Sequence, residues 1–166
     1  MSNVQRQYFG DGAIGTAQTS HPCGDAVAIE IGDLVGLSSA LVVPASAGAD
    51  AGTLAQNQEQ FHDIFLGVSR SAHRATHDPL DNVNIDVATK GIFRFPVVSS
   101  SGYAVGDFVG PDGTGSGGLV GVANQVLVKV ATANLAVGRI FKVLSATEIL
   151  VQIESVIAMG GAQAAA

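Results

Sequence analysis

What most limits the folds open to this chain is a two-residue alternation of apolar and polar side chains that starts, runs briefly and stops at a glycine or proline, many times over. Val27, Ile29 and Ile31 alternate with Ala26, Ala28 and Glu30; Val83, Ile85 and Val87 alternate with Asn84, Asp86 and Ala88. Phe93, Phe95 and Val97 alternate with Arg94 and Pro96, and Ile149, Val151 and Ile153 with Leu150, Gln152 and Glu154. Val126, Val128 and Val130 alternate with Leu127 and Lys129. Successive side chains of a strand point to opposite faces, so each run predicts a strand with one face buried, and Phe93 and Phe95 are expected in the core. Short apolar runs at 34–37, 41–43, 64–68 and 138–144 add further strands. Gly91 is expected to separate two strands, and Pro96, which has no N–H to give a ladder, to end the second. The 21 glycines supply tight turns between the runs. The fold class is therefore all-β, a compact β-barrel-like or β-sandwich body.

The stretches without alternation mark what lies outside that body. Residues 1–24 follow neither a strand nor a helix period and are broken by Gly10, Gly12, Gly15, Pro22 and Gly24, which predicts an extended N-terminal arm. The β-rich body spans 25–158, and 159–166 form a loose tail. Residues 45–60 are small and polar and read as a surface loop with room for one helical turn. Residues 69–82 contain Pro79 and are too long for a hairpin turn, so they predict a protruding loop. Residues 111–118 read as a flexible tip.

Composition narrows the function. Apolar residues make up 47% and charged residues 13%, too apolar for a disordered chain, yet no run nears the roughly 18 apolar residues that a membrane span needs. A net charge of −6 removes the attraction that draws proteins to nucleic acid, so neither nucleic acid nor membrane is an expected partner. With so few charges, much of the surface must be Ala, Gly, Ser, Val and Thr, a surface suited to being covered by neighbours. The lone Cys23 has no second thiol for a disulfide or a zinc knuckle. The opening MSNVQRQYFG lacks the apolar segment of a secretory signal, which points to synthesis in a cytoplasm.

Candidate chemistry is sparse. His73, His77 and Asp78 stand at a spacing that would align two imidazoles on one helix face, as zinc enzymes do, but the glutamate of that motif is missing. Arg70 and Arg74 would repel a dication, so a solvated loop is preferred over a metal site, and no cofactor is expected. Together Arg70, His73, Arg74 and His77 form a basic cluster suited to an acidic protein surface. His62 and Asp63 lack a serine in a nucleophile elbow, and the glycine-rich 111–118 lacks the lysine and following helix of a phosphate loop. No enzyme is expected. Tyr8 and Phe9, aromatic groups in an arm of otherwise small and polar residues, are the expected partner-binding anchors.

One motif occurs twice. Ile31-Gly32-Asp33-Leu34-Val35-Gly36 returns as Val105-Gly106-Asp107-Phe108-Val109-Gly110, each followed by a variable loop, an apolar run with glycine and an alternating strand. Glycine permits the bend and aspartate can accept backbone N–H groups, so Gly32, Asp33, Gly106 and Asp107 are read as structural turns, and 25–97 and 103–158 as two related β units. The succession from Ile31-Gly-Asp-Leu-Val through Phe65-Leu-Gly-Val and Val87-Ala-Thr-Lys-Gly-Ile-Phe-Arg-Phe-Pro96 to Val105-Gly-Asp-Phe-Val, Val137-Gly-Arg-Ile and Ile149-Leu-Val-Gln-Ile153 resembles the capsid decoration, or cement, proteins of phage heads over residues 25–155. The resemblance implies a small β body, commonly a homotrimer, bound to the outer surface of the virion and reinforcing the lattice of the major capsid protein. The long arm and the 69–82 loop depart from that family's pattern and bear on how docking would occur. The alternative is a receptor- or glycan-binding module of a phage fibre, against which stand the absence of Trp and the presence of only Tyr8 and Tyr103 among tyrosines.

Overall fold

A computed structural model describes residues 17–75, 84–98, 102–114, 121–155 and 157. Its strands are β1 (Ala17–Pro22), β2 (Leu34–Ser38), β3 (Leu41–Pro44), β4 (Phe65–Ser69), β5 (Asn84–Pro96), β6 (Phe108–Gly113), β7 (Val122–Lys129), β8 (Gly138–Ser145) and β9 (Glu148–Glu154). One helix, α1 (Leu54–Ile64), separates β3 from β4, and 3-10 turns lie at Ala45–Ala47 and Ala133–Leu135. The strands pair antiparallel in a single sheet that coils into a nearly closed barrel, the all-β architecture expected from the alternation.

Across the sheet the order is β3-β2-β4-β5-β9-β8-β6-β7, with β1 added to β5. This order is palindromic: two four-stranded halves, β3-β2-β4-β5 and β7-β6-β8-β9, meet through β5 and β9. The register repeats as well, since Leu34 faces Val68 and Val35 faces Gly67 in one half, while Phe108 faces Arg139 and Val109 faces Gly138 in the other. Gly67 and Gly138 occupy matching places for one steric reason. A Cβ on Gly67 would lie 2.1 Å from the Ala88 carbonyl oxygen, and one on Gly138 would lie 2.4 Å from that of Gln152. Only glycine lets β4 lie this close to β5, and β8 to β9.

The two ends of the sheet approach each other through β7. The Gln125 amide donates to Asp33 Oδ1 at 2.8 Å, Asn124 Oδ1 accepts the Ser46 N–H at 2.8 Å, and Leu127 bridges Val97. Inside, Leu34, Phe65, Phe93, Phe95, Leu127, Ile149 and Val151 are all buried in one cluster. Full burial of each such side chain stabilises the fold by on the order of 2 kcal/mol. A second cluster, of Cys23, Ile29, Val35, Val42, Leu66, Ile85 and Val87, lies against β1, β2 and β4.

Four local expectations are corrected. Residues 45–60 do not form a loop with one helical turn, because α1 occupies Leu54–Ile64; Thr53 accepts the Gln56 N–H at 3.3 Å, and its hydroxyl donates back to Gln56 Oε1 at 2.9 Å. That reciprocal cap starts the helix, and Ile64 ends it instead of opening β4. Residues 25–31 form no strand. Turns at Gly24–Val27 and Glu30–Asp33 lie so close together that only Ile29 pairs, in a bridge with His73. Gly91 does not divide β5, since it pairs with Ile153 in an unbroken ladder from Lys90 to Pro96. Lastly, the expected arm of 1–24 ends in regular structure: β1 pairs with β5, and Cys23 is buried beside Val42. β5 does end at Pro96.

Candidate interaction surfaces

The expected basic cluster splits on inspection of its backbone. Arg70 and Arg74 are exposed, but His73 is only 8% exposed. Its N–H and carbonyl exchange 2.9 Å bonds with Ile29, and its Nδ1–H donates to the Val27 carbonyl at 2.6 Å. Those bonds fix the tautomer with the proton on Nδ1, which is thereby closed to a metal. His73 therefore pins 27–29 to the sheet, and the first part of the 69–82 segment does not protrude. Ser71 accepts the Asp86 N–H at 2.9 Å, and the Arg70 N–H donates to the Asp86 carbonyl at 2.7 Å, continuing the β4 edge. His77, Asp78, Tyr8 and Phe9 lie outside the described residues.

The two Gly-Asp turns share one backbone design. Gly32 and Gly106 have φ of 95° and 91°, the left-handed conformation that glycine adopts at no steric cost. Asp33 Oδ2 accepts the Glu30 N–H at 2.9 Å, and Asp107 Oδ2 accepts the Ala104 N–H at 2.8 Å. Gly32 donates to Ser69 and Gly106 to Ile140, so each turn is laid across the start of its half. Their electrostatics differ. Asp33 is 3% exposed, and burial pushes its carboxyl above the usual carboxylate range despite the bonds from Glu30 and Gln125. Lys129 Nζ lies 2.7 Å from Asp107 Oδ2 and, with the Ala104 N–H, holds that carboxyl below the usual range.

The residue before each turn glycine is apolar and turned outward, Ile31 at 42% exposure and Val105 at 70%. Val105 continues towards β8, because its neighbour Gly106 bonds Ile140, which precedes the exposed Phe141 and Val143. β6 pairs with β8 at Gly138 and Arg139, and β9 pairs with β8 from Gly138 to Ser145. Register shifts between Ile140 and Lys142 and between Val143 and Ser145 bend this part of β8. Phe141 was legible only as part of an apolar run read as a strand; nothing in the run signals the bulge that turns it out.

Two hollows lie among the described residues. One, about 290 Å³, lies between α1 and the turn after β3, lined by Val43, Pro44, Phe61, Ile64 and Val122 with Asn57 at its edge. The other, about 260 Å³, is lined by His62, Phe108, Arg139 and Glu154 among others, with the Arg139 guanidinium 4.0 Å above the Phe108 ring. His62 Nδ1–H donates to the Ala136 carbonyl at 2.6 Å, and Glu154 pairs with Lys90 at 3.5 Å, so its charged groups are engaged with the fold. Among the described residues no three His, Cys, Asp or Glu side chains stand where they could hold a metal ion, and no helix is long and apolar enough to cross a membrane. No family model, curated protein or solved structure matches the chain.

Proposed function

We propose that this chain is a structural, non-enzymatic adhesion protein that binds the outside of a phage capsid as a homotrimer and stabilises the lattice of the major capsid protein. The observation that carries the reading is the outward strip of Val105, Phe141 and Val143 on a barrel with few charges. Exposed apolar side chains grouped on one surface are what proteins cover in assemblies. The order of elements over 25–155 supports the phage assignment by its resemblance to decoration proteins, and Tyr8 and Phe9 remain candidate anchors in the arm.

A ligand that binds only the assembled shell stabilises the shell by mass action. Purified protein added to capsids that lack it should bind saturably and raise the capsid melting temperature. Val105→Asp should weaken that binding at least tenfold while leaving the melting temperature of the free protein unchanged. Absence of saturable binding would reject the capsid assignment, and unaltered binding by the variant would reject the strip as the contact.

A further inference from the structure

The two halves treat one row of the sheet in opposite ways. In the first half Leu34 of β2 faces Val68 of β4, and Val68 faces Ala88 of β5. In the second, Phe108 of β6 faces Arg139 of β8, and Arg139 faces Gln152 of β9. The rows are equivalent, because Val68 and Arg139 each follow the glycine that is crowded by a carbonyl, that of Ala88 in one half and of Gln152 in the other. Directly opposed residues share a face, so each row sets three side chains next to one another. Leu34, Val68 and Ala88 are buried in the core cluster that also holds Phe61 of α1. Phe108, Arg139 and Gln152 instead line the hollow of about 260 Å³, with Arg139 and Gln152 exposed. The fold can seal this row with apolar side chains, and in its second half it puts an arginine and a glutamine there.

The fold holds the polar groups of this hollow in place without using them up. The Arg139 guanidinium sits over the Phe108 ring, Nη1 reaches the Gly106 carbonyl only at 3.5 Å, and Arg139 has no carboxylate partner among the described residues. An aromatic face steadies the cation without consuming its N–H groups, so the fork of donors stays open for a planar oxyanion. A carboxylate accepts two parallel N–H groups from such a fork. The Gln152 amide, opposite Arg139, has no partner among the described residues and is a further donor. His62 spends its Nδ1–H on the Ala136 carbonyl, which leaves Nε2 as a lone pair that receives an N–H or O–H. Glu154, also in the lining, adds a negative charge shared with Lys90 at 3.5 Å and so opposes a doubly charged phosphate.

We propose that this hollow is a binding site for a carboxylate with an amide N–H beside it, the group that ends a peptide chain and that small N-acyl amino acids carry. Arg139 and Gln152 donate to the carboxylate oxygens, and His62 Nε2 accepts the neighbouring N–H. Ala136 and Gly138 in the lining leave room for a small side chain only. The site belongs to the isolated protein and does not rest on the capsid reading, so its test stands whether or not capsids are bound.

The test is a titration of the full-length protein followed by the NMR shifts of its backbone amides, at ionic strength held constant with sodium chloride. N-acetylglycine should move the Gly138, Arg139 and Gln152 signals saturably, and acetate, which lacks the N–H, should do so more weakly. The peptide acetyl-Ala-Ala-Gly with a free carboxylate should bind, and its C-terminal amide should not. A peptide that binds at least about tenfold more tightly than N-acetylglycine assigns the site to the chain end of a partner, and equal binding assigns it to a free small acid. Arg139→Lys keeps the charge without the fork and should weaken binding at least about fivefold. Arg139→Val writes the first half's residue into the second and should abolish binding; Gln152→Ala, at a second exposed position, should weaken it. No saturable shift at these amides, tighter binding of inorganic phosphate than of N-acetylglycine, equal binding of the amidated peptide, or undiminished binding by Arg139→Lys would each overturn the proposal.

Discussion

The two halves of the barrel carry the same turn on the same backbone and use it for opposite purposes. In the first half, Asp33 is buried and receives the Gln125 amide from β7, so the turn ties the two ends of the sheet together. In the second half, the Asp107 carboxyl takes the Ala104 N–H and Lys129, and the adjoining Val105 stands out into solvent. One copy has become a closure and the other a display. The lesson is that backbone geometry is set by Gly and Asp locally, while the role of a turn is set by what the rest of the sheet brings to it.

If the halves are equivalent in packing, the sharpest break comes at their paired glycines. Gly67→Ala should cost about 3 kcal/mol, because its Cβ would collide with the Ala88 carbonyl and its φ of 155° is unfavourable for a side chain. Gly138→Ala should cost about 2 kcal/mol, since the collision with Gln152 is as direct but no such φ is imposed. Urea denaturation followed by circular dichroism measures both. A loss below about 0.5 kcal/mol at either site would mean that the strands can part there, and the claimed close approach would be wrong.

A smaller difference should separate the aspartates. Asp33→Ala leaves the Glu30 N–H and the Gln125 amide without their acceptor in a closed site, and should cost about 2 kcal/mol. Asp107→Ala removes an exposed pair with Lys129 and should shift stability much less, with 0.5 M salt weakening the contribution further. Equal losses at the two positions would erase the distinction between closure and display.

Much of this comparison was legible in the sequence, and the unread parts have definite causes. The Gly-Asp steps repeat within six residues, and β5 and β9 alternate cleanly because one face of each is buried throughout. α1 escaped notice because two of its buried residues are Asn57 and Gln58, whose amides serve the fold in place of apolar contacts: Gln58 donates to the Pro111 carbonyl at 2.7 Å, and Asn57 accepts the Ala51 N–H. Its Thr53 and Gln56 cap was nonetheless written in the chain. β1 escaped because its sequence AQTSHP has no apolar face; it is held as a strand by the ladder of β5. The surfaces were harder still. His73 has the same letter whether it clamps Val27 or faces solvent, and Gln125 carries no local mark of reaching Asp33 across 92 positions.

The finest test of the contrast is its sign in acid. An Asp in an unfolded chain titrates near about pH 4. Burial raises Asp33 above that value, so between the unfolded and folded values the native state holds the proton more tightly and stability falls as pH rises through the window. Above the window the cost of the buried charge is fully present. For Asp107 the native value is depressed, chiefly by Lys129, so its contribution is present above the unfolded value and fades as pH falls towards the folded one. Subtracting the unfolding profile of Asp33→Asn from that of the wild type should therefore leave a difference that declines with rising pH above about 4. The same subtraction for Asp107→Asn should leave one that climbs with rising pH below about 4. Two curves of the same slope would show that the buried and displayed turns differ in position alone and not in the chemistry of their carboxyls.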